Sequence, residues 1–410
     1  MAEDEHIQDS PTSDSPTPSG QKKPARGRRR WLLIIAGALV LVLTACGALV
    51  WIAYRKLDGN IRTDTATQRL LAELEAERPS RTAGARGAEN ILLIGSDDRT
   101  GANAAYGAAG GRRSDTTILL HIAADRRHAT AVSIPRDVMV TVPSCELPDG
   151  TRTGTRLVQF NAAFETGGPA CSIRAVEQLS GIRIDHHMIL DFTGFKTMVD
   201  AVGGVEVCVP QPIHDKDAKL DLPAGRQTLR GEQALGYVRA RESLGDGSDT
   251  QRMGRQQQFL ASLIRKVQSQ GVLLNPARLW PVLDAATSSV EADEGLSSLG
   301  ALYDLTWDLR SMRPADVVFL TAPRRPYRPD PDRDEFVQPQ TTRLFTELRE
   351  DRLLTVRPPG AGTGASPSAG ATAGPPGPGR AAFGAAASPG PSASPVFEGR
   401  TADTDGCVMH

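Results

Sequence analysis

The stretch Asn90–Asp115 reads NILLIGSDDRTGANAAYGAAGGRRSD and leads directly into Thr116–Ile122 (TTILLHI). Two short apolar runs, each bounded by glycine or charged residues, predict two buried β-strands. Asp97 follows the first run and Asp115 precedes the second. We therefore expect both carboxylates at strand ends of one sheet, where they could hold a hard cation such as Mg²⁺ or, alternatively, Mn²⁺.

Arginines recur beside these carboxylates at the ends of other apolar runs. Thr130–Ile134 ends in Pro135-Arg136-Asp137. The other arginines in this arrangement, with one glutamine, are Arg113, Arg239, Arg241, Arg252, Arg255 and Gln256. Each residue alone could be a turn, a helix cap, a structural ion pair or a surface charge. Their recurrence favours one site, because guanidinium groups bind phosphate oxygens bidentately. Together with a cation, they predict phosphoryl chemistry on a diphosphate.

Helix and strand patterns alternate from Asn90 to about Arg352, which predicts an α/β domain with helices on both faces of a sheet. The predicted strands are Asn90–Gly95, Thr116–Ile122, Thr130–Ile134, Met188–Phe192, Val205–Val209 and Val317–Leu320. The predicted helices are Ile173–Leu179, Phe195–Asp200, Arg252–Ser269, Ala277–Ala286, Gly295–Leu309 and Thr342–Arg349. Because ligands of open α/β sheets bind beyond the strand ends, this is where the Asp and Arg residues should meet.

The overall composition argues against a nucleic-acid partner. The net charge of the 410 residues is -1, so the chain has no global basic field. Aromatic residues make up only 5% of the chain, which is unfavourable for a base-stacking surface.

Trp31–Tyr54 (WLLIIAGALVLVLTACGALVWIAY) carries no charge and is long enough for a transmembrane helix. Basic residues precede it, which predicts a cytoplasmic N-terminus and an extracellular domain in a single-pass protein of the cell membrane. A cleaved signal peptide would have a shorter apolar core. Leu43-Thr44-Ala45-Cys46 resembles a bacterial lipoprotein cleavage box, but the sequence stays apolar after Cys46. We favour an uncleaved anchor.

The chain therefore divides into five predicted parts. They are a disordered cytoplasmic segment (1–30), the transmembrane helix (31–54), a stalk and linker (55–88), the catalytic domain (89–355) and a Gly/Pro/Ala/Ser-rich disordered tail with a terminal cysteine (356–410).

Four cysteines besides Cys46 fit two disulfides in an exported domain, and the sequence allows three pairings. Cys145 and Cys171 flank one loop region and are the first expected pair. Cys208 would then pair with Cys407.

Seven sequence blocks resemble the LytR-CpsA-Psr (LCP) family of bacterial cell-envelope proteins, in unbroken order over roughly residues 88–270. The blocks are NILLIGSDDR, RRSDTTILLHI, AVSIPRDVMV, FNAAFETGGPA, GIRIDHHMILDFTGFKTMVDAVGGVEVCVPQPIHD, LDLPAGRQTLRGEQALGYVRARES and QRMGRQQQFL. The anchor, the extra cysteines and the residue usage look like an actinobacterial member. The resemblance implies a three-layer α/β/α domain with a central mixed sheet.

The resemblance also implies an activity. LCP proteins transfer glycopolymers such as teichoic acid from a polyprenyl diphosphate carrier to a peptidoglycan hydroxyl, and a phosphodiester results. By motif, Asp97 and Asp115 are similar to the Mg²⁺ ligands, and Arg113, Arg136, Arg239, Arg241, Arg252, Arg255 and Gln256 to the diphosphate ligands. Arg113, Arg136 and Asp137 are the expected catalytic residues. Asp137 either orients Arg136 or acts as the base.

One position departs from the family pattern, because Gln159 stands where a lysine is common. The predicted function is a Mg²⁺-dependent glycopolymer–peptidoglycan transferase. The alternatives are a polyprenyl diphosphate pyrophosphatase at the same site and a non-catalytic module that binds lipid or cell wall.

Overall fold

A computed structural model describes residues 26–97, 103, 113–147, 149–241, 249–269, 276–358 and 395–404 of the chain. The helices are α1 (Arg26–Asp58), α2 (Thr65–Glu73), α3 (Asn161–Ser180), α4 (Phe192–Ala201), α5 (Gly231–Arg239), α6 (Asp249–Ser269), α7 (Pro276–Ser289), α8 (Leu299–Ser311) and α9 (Gln340–Arg349). The strands are β1 (Arg62–Thr63), β2 (Glu89–Ser96), β3 (Ser114–Ile122), β4 (Ala129–Ile134), β5 (Met139–Val142), β6 (Arg156–Gln159), β7 (His186–Leu190), β8 (Val205–Val209), β9 (Ile213–Asp215), β10 (Leu220–Leu222), β11 (Gly225–Leu229), β12 (Val290–Ala292), β13 (Val317–Thr321), β14 (Arg324–Tyr327), β15 (Asp330–Phe336), β16 (Thr355–Arg357) and β17 (Val396–Thr401).

The chain separates into two compact units, Met1–Tyr54 and Arg55–His410. Within α1, the stretch Arg30–Asp58 is 29 residues long and contains an 18-residue segment with a mean hydropathy of 2.7, so it is long and apolar enough to cross a membrane. Its large apolar side chains, Trp31 and Trp51 among them, are exposed. The helix continues through Cys46.

The second unit is built on a mixed sheet in the order β1-β12-β7-β2-β3-β4-β13-β17-β16. The centre is an antiparallel meander of β2, β3 and β4, in which Leu93 faces Ile118. β7 and β13 extend this meander in parallel on its two sides. Such a mixture needs both hairpins and long crossovers, and the crossovers carry the helices.

Helices cover both faces of this sheet, so the predicted α/β/α architecture is confirmed. Neighbouring residues of β2 point to opposite sides, because strand side chains alternate. Leu92 joins an apolar cluster with Val176 of α3 and Leu344 of α9. Ile91 joins a second cluster with Ala261 of α6, against which α8 also packs.

A third apolar cluster lies beside the sheet and holds α4, α5 and the small strand pairs β8–β11 and β9–β10 together. Phe259 of α6 is fully buried in it. Val205–Val209 was predicted as a strand and is one, but it pairs with β11 outside the central sheet. Helix α5 was not predicted at all, although it carries Arg239.

The predicted separation of residues 55–88 as a stalk needs correction. β1 pairs in parallel with β12 and forms one edge of the central sheet. Leu71 of α2 is buried in the same cluster as Leu92. These residues belong to the folded domain because their apolar side chains have a place in its core.

The predicted disordered tail needs a similar correction. β17 pairs with β13 and with β16, so residues 396–401 complete the central sheet. Residues 359–394 and 405–410 lie outside the described part of the chain, as do residues 1–25.

The Cys145–Cys171 disulfide is confirmed, with 5.5 Å between the two Cα atoms. It packs against Gly167, where an added Cβ would lie 3.2 Å from Cβ of Cys145. The chain kinks here, because Gly168 has a φ of 61° and Pro169 follows. Helix α3 therefore extends upstream of the predicted Ile173–Leu179, across this kink. Cys208 is also disulfide-bonded. Its predicted partner, Cys407, lies outside the described residues.

Candidate active site

A cavity of about 710 Å³ lies between the sheet and helices α4, α5 and α6. Its apolar wall comes from the middle of strands and from the covering helices, and includes Leu93, Ile118, Met188, Leu190, Phe195 and Val238. Many of its charged residues come from the ends of β2, β3 and β4 and from the helix ends, and they include Asp97, Arg113, Asp115, Arg136, Asp137, Arg239, Arg241 and Arg252. One chamber thus combines an apolar interior with a cationic and acidic region.

The end of the β2–β3 ladder brings the two predicted metal carboxylates to this cavity. The backbone N–H of Asp97 donates to the carbonyl of Arg113 at 3.0 Å. In return, the N–H of Arg113 donates to Oδ1 of Asp97 at 2.7 Å. Asp97 is buried with 8% of its surface exposed, and Asp115 lies two residues beyond Arg113 on β3. The strand pairing therefore fixes both acids at one edge of the sheet.

Arg136 connects the carboxylates. Its Nη1 donates to Asp115 Oδ1 at 2.6 Å and its Nε donates to Asp137 Oδ2 at 3.2 Å. The other oxygen of Asp137 accepts from Nε2 of Gln159 at 3.2 Å. The N–H of Asn161 donates to the carbonyl of Arg136 at 3.0 Å, and this hydrogen bond fixes the backbone of Arg136. Arg136 is thus held in one orientation by charge-assisted hydrogen bonds.

Helix α5 and the residues after it supply two further guanidinium groups. Arg239 is the last residue of α5, and its guanidinium lies over the ring of Phe192 at 4.5 Å. A cation at this distance is attracted by the ring. Arg241 is held through its backbone, because its N–H donates to the buried Asp215 at 2.7 Å.

Helix α6 contributes Arg252 and Gln256. Arg252 is only 4% exposed and donates from Nη2 to the carbonyl of Asp115 at 3.4 Å. Gln256 donates from Nε2 to the carbonyl of Val238 at 3.1 Å. Side chains four residues apart on a helix differ in direction by only about 40°, so Arg252 and Gln256 share a face.

Arg255 does not line this cavity, and its predicted place there is wrong. It lies in a neighbouring groove of about 1510 Å³ and donates from Nη2 to the carbonyl of Ala240. Arg255 is three residues beyond Arg252 on the helix, so the directions of the two side chains differ by about 60° around the helix axis. Burial lowers its pKa from the usual value, because the charged form loses solvation.

Arg113 lies at an exposed part of the cavity, where its Nε donates to Glu165 at 3.1 Å. It is the least buried of the predicted catalytic residues, with 54% of its side chain exposed. All the predicted site residues other than Arg255 therefore line one cavity.

Within the described ranges, no group of three or more His, Cys, Asp or Glu side chains is arranged to hold a metal ion. The pair Asp97 and Asp115 still fits Mg²⁺, because this ion commonly takes one or two protein carboxylates and completes its shell with water and substrate phosphate.

The cavity is also lined by residues that sequence reasoning did not place there, among them Asp191, Phe192, Asp215 and Arg333. Asp191 caps α4 by accepting from the N–H of Gly194 at 2.7 Å. Asp191 directly follows an apolar strand, and an Asp at such a position is a common N-cap that could have been recognised in the sequence. Nothing local in the sequence indicates that Arg333, on the distant hairpin β14–β15, reaches this cavity.

Comparisons with known proteins identify relatives of this chain. Two relatives come from Corynebacterium glutamicum. The probable cell wall biosynthesis protein LcpB is 37% identical over 269 residues, which are 64% of this chain and 58% of LcpB. The cell wall biosynthesis protein LcpA is 34% identical over 320 residues, 71% of this chain and 59% of LcpA. The chain thus spans less than two thirds of the length of these two relatives.

A third relative, the polyisoprenyl-teichoic acid–peptidoglycan teichoic acid transferase TagT of Bacillus subtilis, is 28% identical over 257 residues, 61% of this chain and 74% of TagT. Among solved structures, the LytR-Csp2A-Psr enzyme from Actinomyces oris is 25% identical with a TM-score of 0.50 and covers 66% of this chain and 93% of its own. The model of the LytR_cpsA_psr family matches residues 57–347, which include every residue of the cavity. The chain therefore belongs to the LytR-CpsA-Psr family.

Proposed function

We propose that this protein transfers a glycopolymer from a polyprenyl diphosphate carrier to a hydroxyl group of peptidoglycan. The observation that carries the proposal is the composition of the 710 Å³ cavity, in which an apolar chamber continues into a cluster of arginines and two carboxylates. A polyprenyl diphosphate has the same two parts, a hydrocarbon chain and an adjacent charged group. The named activity of TagT supports the same substrate class.

The apolar chamber would take the polyprenyl chain. Its lining side chains Leu93, Met188 and Leu190 are only partly buried and leave apolar surface facing the cavity. Removing this surface from water on lipid binding is favourable by roughly 25 cal/mol for each Å². Lipid binding therefore does not depend on the sugar, which allows one site to accept different polymers.

The diphosphate would lie among Arg136, Arg239, Arg241 and Arg252. Arg136 and Arg239 are pre-oriented by Asp137 and Phe192, respectively, so little freedom is lost when they bind an anion. Asp97 and Asp115 would hold Mg²⁺, or Mn²⁺ in its place. The cation would neutralise charge on the phosphate oxygens.

In the reaction, the acceptor hydroxyl oxygen attacks the phosphorus atom that carries the glycopolymer. The new oxygen–phosphorus bond gives the phosphodiester, the bond to the bridging oxygen breaks, polyprenyl monophosphate leaves, and the hydroxyl proton is released to water. The arginines stabilise the charge that develops on the leaving phosphate. We assign Asp137 to the orientation of Arg136 rather than to proton removal, because both of its oxygens accept hydrogen bonds from side chains.

The test uses the full chain in detergent micelles with a short-chain polyprenyl diphosphate glycoside, Mg²⁺ and a labelled peptidoglycan oligosaccharide. Transfer is supported if label and glycan become joined while polyprenyl monophosphate is released. Release that does not depend on the oligosaccharide would overturn transfer in favour of a pyrophosphatase. Binding of intact lipid without release would overturn it in favour of a binding module.

A matched pair of variants connects the result to this cavity. Arg136→Gln is expected to abolish release, because it removes the charge between Asp115 and Asp137. Arg313→Gln makes the same chemical change at an exposed arginine paired with Asp316 and should leave release unchanged. Equal activity of the two variants would remove the cavity from the mechanism. Omitting Mg²⁺ and restoring it tests the metal in the same assay.

We further propose that the N-terminus is cytoplasmic and the catalytic domain extracellular. Supporting this orientation, the sequence before the apolar helix contains the basic residues Lys22, Lys23, Arg26, Arg28, Arg29 and Arg30. Protease added to intact spheroplasts should remove the domain and protect an N-terminal epitope. Protection of the domain and loss of the epitope would reverse the orientation.

A further inference from the structure

The groove of about 1510 Å³ lies beside the cavity of the active site and is lined by α6, the hairpin β14–β15 and β17. The two spaces are neighbours, because Asp137, Arg241 and Arg333 line both of them.

Several arginines of this groove are neutralised by acidic neighbours. Arg324 forms an ion pair with Asp334, and Arg325 forms one with Glu335 at 2.7 Å. These pairs hold the β14–β15 hairpin together and leave little net charge on it.

Arg255 and Arg400 differ from these. Their Nε–H groups are buried, and among the described residues neither group donates to an acceptor. The two come from α6 and β17, and a Cβ added at Gly254 would lie 3.8 Å from Nη2 of Arg400. Both arginines line this groove, so positive charge from distant parts of the sequence is gathered along it.

Among the described residues, neither of these guanidinium groups forms a direct ion pair with a carboxylate. Burial lowers the pKa of both Arg255 and Arg400, and the neighbour that acts on both is Tyr237. Tyr237 is neutral, because burial raises its pKa to about 12 despite the two arginines. Asp215 also acts on Arg255, but its two oxygens already accept from the backbone of Ala218 and Arg241.

A buried guanidinium without an anionic partner is costly, and leaving a donor of a charged group unpaired adds to this cost. A purely structural role would explain one hydrogen bond of Arg255, to the carbonyl of Ala240. It would not explain why Arg400 lines the same groove with a buried donor of its own.

We propose that Arg255 and Arg400 form a second anion site, which binds a phosphate or carboxylate of the glycan while the diphosphate occupies the neighbouring cavity. The proposal rests on the proposed function, since that function brings glycan chains to this face. Two glycans carry such oxyanions: the donor polymer through phosphodiesters, and the peptidoglycan acceptor through its carboxylates. Two guanidinium forks suit either group.

The experiment measures binding to the full chain in detergent micelles with three probes: a glycerol phosphate oligomer, a peptidoglycan oligosaccharide with its peptide carboxylates, and a polyprenyl diphosphate without sugar. Arg400→Gln should weaken binding of one of the two glycan probes about tenfold or more, as expected for loss of a charge-assisted hydrogen bond. The probe affected identifies donor or acceptor. Arg400→Lys should recover part of the loss, because it keeps the charge.

The lipid probe separates this proposal from the proposed function. Arg400→Gln should change the affinity for polyprenyl diphosphate less than twofold, whereas Arg136→Gln should abolish it. If the wild type does not bind the lipid probe, the proposed function fails. If lipid binds normally but neither glycan probe responds to Arg400→Gln, the second anion site is refuted. An equal loss for all three probes would also refute it, since Arg400 would then belong to the diphosphate site. Arg313→Gln is the matched control, and thermal melting checks that each variant is folded.

Discussion

Replacing Asp64 with asparagine should destabilise the domain in a way that depends on pH. Asp64 is buried between α2 and β7, and its oxygens accept from the N–H of Thr67 at 3.0 Å and from Nε2 of His187 at 3.2 Å. Burial alone would raise the pKa of this carboxyl group, but the hydrogen bonds from His187 and Thr67 hold the pKa at about 2, below the usual 3.8.

The size of the effect follows from the two pKa values. Each pKa unit corresponds to about 1.36 kcal/mol, so a pKa lowered from 3.8 to about 2 contributes on the order of 2 kcal/mol to the free energy of unfolding. A lowered folded-state pKa stabilises the protein above the unfolded-state pKa. The contribution is therefore complete at pH 7, and it is lost as the pH falls from about 5 to about 2.

The assay is urea unfolding of the full chain in detergent micelles, followed by tryptophan fluorescence at pH 7, 5 and 3. Asp64→Asn should lower the free energy of unfolding by about 2 kcal/mol at pH 7 and by clearly less at pH 3. The matched control is Asp125→Asn, because Asp125 also pairs with a histidine, His128, but is largely exposed. Its effect should stay below about 1 kcal/mol.

A double-mutant cycle with His187→Gln isolates the pair, since the cost of Asp64→Asn should shrink in that background. An Asp64→Asn variant that unfolds like the wild type at pH 7, or whose deficit does not change between pH 5 and pH 3, would refute the reasoning. The result also concerns the candidate active site, because the next residue of β7, Met188, lines its cavity.

The remaining predictions concern the cavity and the disulfide. Arg136→Ala and Arg239→Ala should each lower turnover by about 10²-fold or more without a change in melting temperature, because a pre-oriented guanidinium group is lost from the diphosphate site; unchanged turnover in both would contradict this assignment. Val238→Trp should fill part of the cavity and weaken polyprenyl diphosphate binding about tenfold or more in a calorimetric titration, and normal affinity would exclude this chamber as the lipid site. Cys145→Ser should lower stability by about 2–4 kcal/mol under oxidising conditions in a urea titration, and equal midpoints with the wild type would refute a stabilising role.

Much of the sheet and of the candidate site could be predicted, because the relevant signals are local. The runs NILLIG and TTILLHI carry apolar side chains on both faces of the strand. Both faces can be buried only in a central strand that is covered on its two sides. Asp97 and Asp115 follow from the same signal, since an antiparallel pair brings the end of one strand beside the start of the next.

The remaining features depend on contacts between distant residues. Helix α5 has only nine residues, Gly231–Arg239, and no helix was predicted there. Arg255 was placed with Arg252 because both lie within one helical turn, whereas a difference of about 60° on the helix surface puts its side chain in another groove. Periodicity indicates a face of a helix, but the neighbours of that face come from the tertiary fold.

The position of β17 has a consequence for synthesis of the protein. β13 can pair on its second side only after residues 396–401 have left the ribosome, and those residues are separated from β16 by a stretch composed mainly of Gly, Ala, Pro and Ser. A polypeptide that stops after residue 358 would expose a hydrogen-bonding edge of β13 and invite pairing with another copy. Premature termination late in translation should therefore yield an aggregating product rather than a shortened enzyme.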